Sequence, residues 1–268
     1  MILRRRLAAI ALASTALFAL AAPARADITI GVSLPLTGPA SGLGIPCRNG
    51  LQLWPTTIAG EKLNVIVLDD ASDPTAGARN ARRFTTEDKV DLIIGSAATP
   101  VGVAMADIAA QAETVQIVMS PVALPDGKDN WMFRMPQSTA VMAVPIVEHW
   151  KKTGVKTFGF IGYSDAYGEV WLKDLTALAT ASGIKAVAVE RFGRNDTSVT
   201  GQILKITSAR PDAVLVVASG SGAAMPHKAL VERGYPKNKI YQTHSAATLD
   251  LMRVGGSDVE GAFVSSGP

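Results

Sequence analysis

Short, nearly continuous apolar runs alternate along this chain with longer stretches of helical character. The runs are ITIGVS (28–33), LNVIVLD (63–69), VDLIIG (90–95), VQIVM (115–119), KTFGFIG (156–162), IKAVAVE (184–190), DAVLVVA (212–218), KIYQT (239–243) and GAFVSS (261–266). Strands that are apolar on both faces are covered on both faces, as parallel strands flanked by helices are. Helices are expected between them, at 43–58, 74–88, 100–112, 139–153, 167–182, 197–209, 222–233 and 246–254. Asp73-Pro74 reads as an N-cap followed by proline in the first turn, and Gly154, Gly183 and Gly234 fall where helices should stop. Over 74–88 the helical spacing puts Ala78, Ala81, Arg82 and Thr85 on one face. Repeated strand–helix units predict an α/β fold of doubly wound parallel sheets with right-handed crossovers. The alternation breaks once, at SPVALPDGKDNWMFRMPQST (120–139). This stretch reads as a linker with one brief strand between two lobes of similar size.

Residues 1–26, MILRRRLAAIALASTALFALAAPARA, have a basic start, an apolar stretch from Leu7 to Ala22 and a small-residue end at Ala24-Arg25-Ala26. That is the layout of a secretory signal peptide cleaved near Ala26, and it predicts a periplasmic location. The apolar part is short for a membrane anchor. The chain's formal charge is +3, but the four arginines of this segment account for the excess: without them 22 basic residues stand against 23 acidic ones, a net charge of −1. A near-neutral exported chain has no electrostatic reason to partner nucleic acid or an anionic membrane. The single cysteine, Cys47, excludes a disulfide framework and Cys-rich zinc sites, and is expected to be a spectator thiol.

Catalytic patterns are incomplete. Gly162-Tyr163-Ser164-Asp165-Ala166 has alanine where a nucleophile elbow needs its final glycine. Gly220-Ser221-Gly222-Ala223-Ala224-Met225 lacks the third glycine of a dinucleotide loop and reads as a tight strand-to-helix turn. His149, His227 and His244 share no ligand spacing, and Asp69-Asp70 reads as a strand end. Neither an enzyme nor a cofactor or metal is expected.

Seven stretches, in order, resemble the periplasmic ligand-binding proteins of ABC importers in the branched-chain amino-acid-binding (Leu/Ile/Val-type) family. They are IGVSLPLTGPASGLG (30–44), DDASDPTAGARNARRF (69–84), EDKVDLIIGSAATP (87–100), VMSPVALP (118–125), FRMPQS (133–138), GYSDAYGE (162–169) and GGSDVEGAF (255–263). The resemblance implies a two-lobe type I periplasmic-binding-protein fold, with ligand trapped between lobes by hinge closure. It divides the chain into lobe one (27–120), a hinge crossover (121–138) and lobe two (139–268). The implied partners are a small-molecule carboxylate ligand and an ABC permease in the membrane, with the protein itself a monomer.

Ligands of open α/β sheets bind beyond the carboxyl ends of strands. Ser96-Ala97-Ala98-Thr99-Pro100 leads from a strand into a helix whose N-terminus can seat a carboxylate. The resemblance places a carboxylate-binding hydroxyl at Thr99. Thr99 also reads as a plain N-cap before Pro100, and the two readings use the same amides. Ala97 and Ala98 leave room for ligand. By the same resemblance Ala123 is a backbone-contact position, and Leu124 stands where amino-acid binders carry a hydroxyl residue. Leu43 replaces a rim aromatic, Tyr167 is a closing aromatic or a loop-packing one, and Ser219 stands at a position often aromatic. His244 departs most from the pattern, because amino-acid binders place there an acid that pairs with the ligand ammonium. A buried ammonium without a counter-charge costs several kcal/mol. A histidine can instead donate to an anion or a phenolic oxygen. The expected ligand is therefore a carboxylate without an α-ammonium, an aromatic acid by preference. A branched-chain amino acid and a ligand-sensing domain of a regulator remain as alternatives. Family members run about a hundred residues past EGAFVSSGP, so the chain is expected to end short at its C-terminus and to leave apolar surface of lobe one uncovered.

Overall fold

The computed structural model describes residues 27–267, so the expected leader lies outside the described residues. In chain order the elements are β1 (Ile28–Leu34), α1 (Ser41–Leu51), β2 (Thr57–Ile58), β3 (Glu61–Asp69), α2 (Pro74–Thr86), β4 (Leu92–Ile94), α3 (Thr99–Gln111), β5 (Val115–Val118) and β6 (Met132–Arg134). They continue with α4 (Thr139–Lys152), β7 (Thr157–Tyr163), α5 (Ala166–Ala181), β8 (Lys185–Phe192), α6 (Thr200–Ser208), β9 (Ala213–Val217), α7 (Gly220–Glu232), β10 (Ile240–Gln242), α8 (Leu249–Gly255) and β11 (Phe263–Val264). The described residues divide into a small unit, Asp27–Ile28 with Pro55–Asn64, and a large unit, Thr29–Trp54 with Val65–Gly267. In the small unit β2 pairs antiparallel with the start of β3, Thr57 opposite Lys62 and Ile58 opposite Glu61.

The large unit holds two sheets. One runs β3-β1-β4-β5-β6, with β1, β4, β5 and β6 parallel. The other runs β11-β10-β9-β7-β8, parallel throughout. Burial follows position in the sheet. Internal β9, AVLVV, is buried at every residue, whereas edge strand β8 is half exposed along most of its length. The second sheet has the larger aromatic core, in which Trp150, Phe158, Phe160 and Trp171 are fully buried. The first is cored by Phe84, Ile93, Val101 and Met105.

Local chemistry sets the helix limits. Asp73 accepts from the Ala76 N–H at 2.7 Å, with Pro74 behind it. The α4, α5 and α7 helices all stop in the same way. Gly154, Gly183 and Gly234 take φ near +75°, and the next residues, Val155, Ile184 and Tyr235, donate back to Trp150, Ala179 and Leu230 at 2.9, 2.9 and 3.0 Å. This is the six-to-one bond of a glycine-terminated helix.

The structure corrects one sequence expectation and adds detail to two. The helix drawn over 43–58 ends at Leu51, because Trp54 precedes Pro55 and a residue before proline is pushed out of helical geometry. The inner face of α2 is Ala76, Gly77, Asn80, Ala81 and Phe84, since the bulky Phe84 turns that face inward and leaves Arg82 in solvent. The brief strand of the linker, β6, is part of the first sheet, paired with β5 through Ile117 and Phe133. Phe133 within it and Met135 just after it are exposed, and Met135 lines an apolar hollow of about 470 Å³ with Leu34, Ile94, Ile117 and Met119.

Asp212 ties the starts of β7 and β9 together. Its carboxylate accepts from the Lys156 N–H, the Thr157 N–H and the Thr157 hydroxyl at 2.9, 2.9 and 3.0 Å. The Lys156 amide is the main cause that holds its pKa below the usual carboxylate range, against a smaller desolvation effect. Asp212→Ala should destabilise by about 2 kcal/mol at pH 7, lowering Tm by roughly 4–8 °C. A depressed carboxyl pKa stabilises above the unfolded value and loses that contribution as pH falls through the folded value. The wild-type advantage should therefore vanish in strong acid, and equal melts at pH 7 would contradict this role.

Candidate functional site

Carboxyl ends of strands from both sheets border one cleft of about 180 Å³ in the large unit. From the first sheet, α1 brings Leu43 and Cys47, the β4–α3 turn brings Ala97 and Thr99, and the end of β5 brings Met119, Ser120 and Pro121. From the second, Tyr167 follows β7, Arg194 follows β8, Ser219 follows β9, and His244, Ser245, Ala247 and Thr248 follow β10. Among the described residues, the lining side chains include one cation, Arg194, and no carboxylate.

The β4–α3 turn needs Gly95. Its φ is +124°, and a Cβ there would lie 2.0 Å from the Ser33 carbonyl oxygen. The chain then enters α3 with Ala98, not Thr99, at the N-cap, and no side chain caps the helix. Thr99 is the first helical residue, buried, so the simple-cap reading of its hydroxyl is corrected. Ala98 is buried at the cap and does not line the cleft. The α7 helix likewise starts at Ser219 without a side-chain cap, whereas Asp165 caps α5 through the Tyr167 and Gly168 N–H groups at 2.9 and 3.4 Å. Two uncapped helix N-termini thus present partial positive charge near the cleft.

Tyr167 is buried, and its hydroxyl lies 2.7 Å from Thr243 Oγ1. Burial is the main cause that pushes its pKa up to about 12, so it stays protonated. It packs the loop and lines the cleft at once. His244 stacks on Trp171 (centroids 6.1 Å apart, 27° between planes) and meets Tyr167 edge-on at 5.9 Å. Its Nε2 lies 3.2 Å from Ser245 Oγ, and its buried Nδ1 has no partner. Burial pushes the imidazole pKa down to about 4, so His244 is neutral at pH 7.

This makes a pH prediction. A histidine whose pKa falls below about 6.5 on folding binds fewer protons folded than unfolded, so stability drops as pH falls from about 6.5 toward about 4. His227, whose pKa burial also lowers, acts in the same direction. His244→Gln should therefore remove part, not all, of the stability loss between pH 7 and pH 4. Identical pH profiles of Tm for the two proteins would contradict the burial account.

The cleft does not contain Ala123 or Leu124. They line a neighbouring hollow of about 290 Å³ with Arg134 and Thr139, and Pro121 borders both spaces. Pro121 starts a tight turn closed by the Val122 N–H on the Ser120 carbonyl at 2.9 Å, and Arg134 Nε then holds the Val122 carbonyl at 2.6 Å. That turn carries the next two residues off the cleft. Of the other histidines, His227 is fully buried between the Asp258 carbonyl and Gln242, and His149 Nδ1 lies 2.8 Å from the Tyr241 hydroxyl. Asp69 accepts from the Leu36, Thr37 and Ala71 N–H groups, which makes it a loop organiser. No group of three metal-ligating side chains occurs among the described residues.

Sequence reasoning missed Arg194. Its Nε donates to Asp165 Oδ2 at 2.6 Å, and its guanidinium carbon sits 4.2 Å from the centre of the Tyr163 ring. It lies in the polar stretch Gly193-Arg194-Asn195-Asp196, where no periodicity marks it. The one available signal was position, just past the carboxyl end of a strand.

Two parallel α/β sheets that offer strand-end loops to a shared cleft define a protein built to hold a small solute. Residues 27–268 match the periplasmic binding protein family, and the chain belongs to it, in its type I form, with Leu/Ile/Val-binding proteins among its relatives. Leu/Ile/Val-binding protein homolog 3 of Brucella melitensis is 26% identical over 97% of this chain and 72% of its own length. An extracellular ligand-binding receptor from Rhodopseudomonas palustris HaA2 superposes with a TM-score of 0.88 at 48% identity, over 91% of this chain and 68% of that one. A solute-binding protein of an ABC transporter from Rhodopseudomonas palustris BisB5, in complex with 3,4-dihydroxybenzoic acid, gives a TM-score of 0.72 at 26% identity, covering 81% and 61%. These neighbours share the two-lobe type I fold, and family members bind small molecules and work with ABC permeases. Among the described residues no helix is long and apolar enough to cross a membrane.

Proposed function

We propose that this protein is the periplasmic solute-capturing component of an ABC importer, that it acts as a monomer without catalysis, and that its ligand is a small carboxylate lacking an α-ammonium, an aromatic acid above all. One observation carries the ligand class: the cleft offers uncapped helix N-termini and a cation, and no lining carboxylate to pair with an ammonium. The acid group would sit at the α3 N-terminus by Thr99, where first-turn amides and the positive end of the helix favour an anion. Leu43, Ala97, Ser219 and Tyr167 would enclose the ring, and neutral His244 would present its imidazole to it. The structural relative bound to 3,4-dihydroxybenzoic acid supports this chemistry.

Thermal melts with a panel of solutes test the reading. A ligand at about a hundred times its Kd adds roughly 2.7 kcal/mol, a shift of several degrees. Aromatic acids should raise Tm while leucine, isoleucine and valine leave it unchanged; the reverse pattern would restore the branched-chain alternative.

A further inference from the structure

We propose that Arg194 selects ligands that carry a second oxygen acceptor, a ring hydroxyl or second carboxylate, at the end away from the acid group seated at α3. This rests on the aromatic-acid reading above and narrows it.

The argument starts from how Arg194 is held. Its side chain is 12% exposed, Nε is fixed to Asp165 at 2.6 Å, and one face of the guanidinium lies on the Tyr163 ring at 4.2 Å. Asp165 is held in turn by capping α5. The long side chain is therefore locked before any ligand arrives, which removes most of the ordering cost of using it. Among the described residues Arg194 makes no other hydrogen bond, so the four N–H donors on its two Nη atoms have no acceptor there. It also borders the cleft.

The pairing with Asp165 does not discharge this cation fully. Asp165 also accepts two N–H groups at the positive end of α5, so one carboxylate serves a helix terminus and a guanidinium together. The acid seat on α3 belongs to the first sheet, while Arg194 hangs from β8 of the second. A ligand with a single acid group on α3 would expel water from the cleft and leave the Nη donors unmet. Sites built around such donors reject analogues that lack the acceptor. A ring oxygen on the far side of the ligand would meet them and link the two sheets through one molecule.

The test is calorimetric titration of the protein with benzoate, 4-hydroxybenzoate and benzene-1,4-dicarboxylate, repeated with Arg194→Gln and Arg194→Lys. At least one oxygen-bearing acid should bind the wild type ten-fold or more tighter than benzoate. In Arg194→Gln that preference should shrink to three-fold or less, because benzoate loses less affinity than the oxygen-bearing acids do, and Arg194→Lys should keep an intermediate preference. Equal wild-type affinities for all three acids would overturn the proposal without any variant. So would an Arg194→Gln protein that melts like wild type yet loses benzoate as strongly as the others, because Arg194 would then hold the common acid group. If leucine binds and none of the acids does, the solute reading itself fails; if the acids bind without preference, only the role of Arg194 fails.

Discussion

His244→Glu should weaken aromatic-acid binding about a hundred-fold. His244 itself is neutral now, with the imidazole on Trp171 and its pKa pushed down to about 4. A glutamate there would set a negative charge against a bound carboxylate. Two like charges about 5 Å apart repel by roughly 3 kcal/mol at an effective dielectric of 20, which is about two decades in Kd. The same substitution supplies the counter-charge that an ammonium needs, so the ratio of amino-acid to aromatic-acid affinity should rise further than either affinity alone. His244→Ala, which removes the imidazole and adds no charge, should cost about ten-fold, the worth of one good hydrogen bond plus some packing. Titration calorimetry of both variants checks this. An aromatic-acid Kd within three-fold of wild type in His244→Glu would remove His244 from the site.

The largest stability effect is expected at Trp171, on the α5 helix. It is fully buried, belongs to the core of the second sheet, and its indole is the surface on which His244 stacks. Trp171→Ala should cost about 3–5 kcal/mol, which lowers Tm by roughly 6–20 °C in a chain of this size. The effect should reach the cleft, because His244 loses the plane that fixes its ring. Trp171→Phe keeps an aromatic face in most of the volume and should recover the larger part of both losses. A Trp171→Ala protein that melts within 2 °C of wild type would show that the cavity is not where the core places it.

The alternation of strand and helix was legible because β9, β7 and β1 are buried runs whose sequences carry the burial openly. Glycine stops after α4, α5 and α7 were legible for the same local reason, as φ near +75° suits glycine and little else. The β2–β3 hairpin was not legible. Thr57-Ile58 is exposed, and the turn uses Ala59 and Gly60 at φ of +51° and +88°, without the Asn-Gly signal that marks such turns. Of the residues that line the candidate cleft, Ala97 and Thr99 lie in the turn to which strand-end topology pointed, whereas Tyr167 and Ser219 were expected from the family resemblance. Ala123 and Leu124 left it through a turn that depends on the distant Arg134. Arg194 was invisible because its partners, Asp165 and Tyr163, lie about 30 residues earlier in the chain, and only the fold brings the three together.

The most direct test of the central claim is titration calorimetry of one protein sample with 4-hydroxybenzoate and with L-leucine. The account predicts saturable one-to-one binding of the aromatic acid and no measurable heat from leucine. Tight leucine binding with none of the aromatic acid would contradict it, because the cleft would then hold an ammonium without a carboxylate to face it.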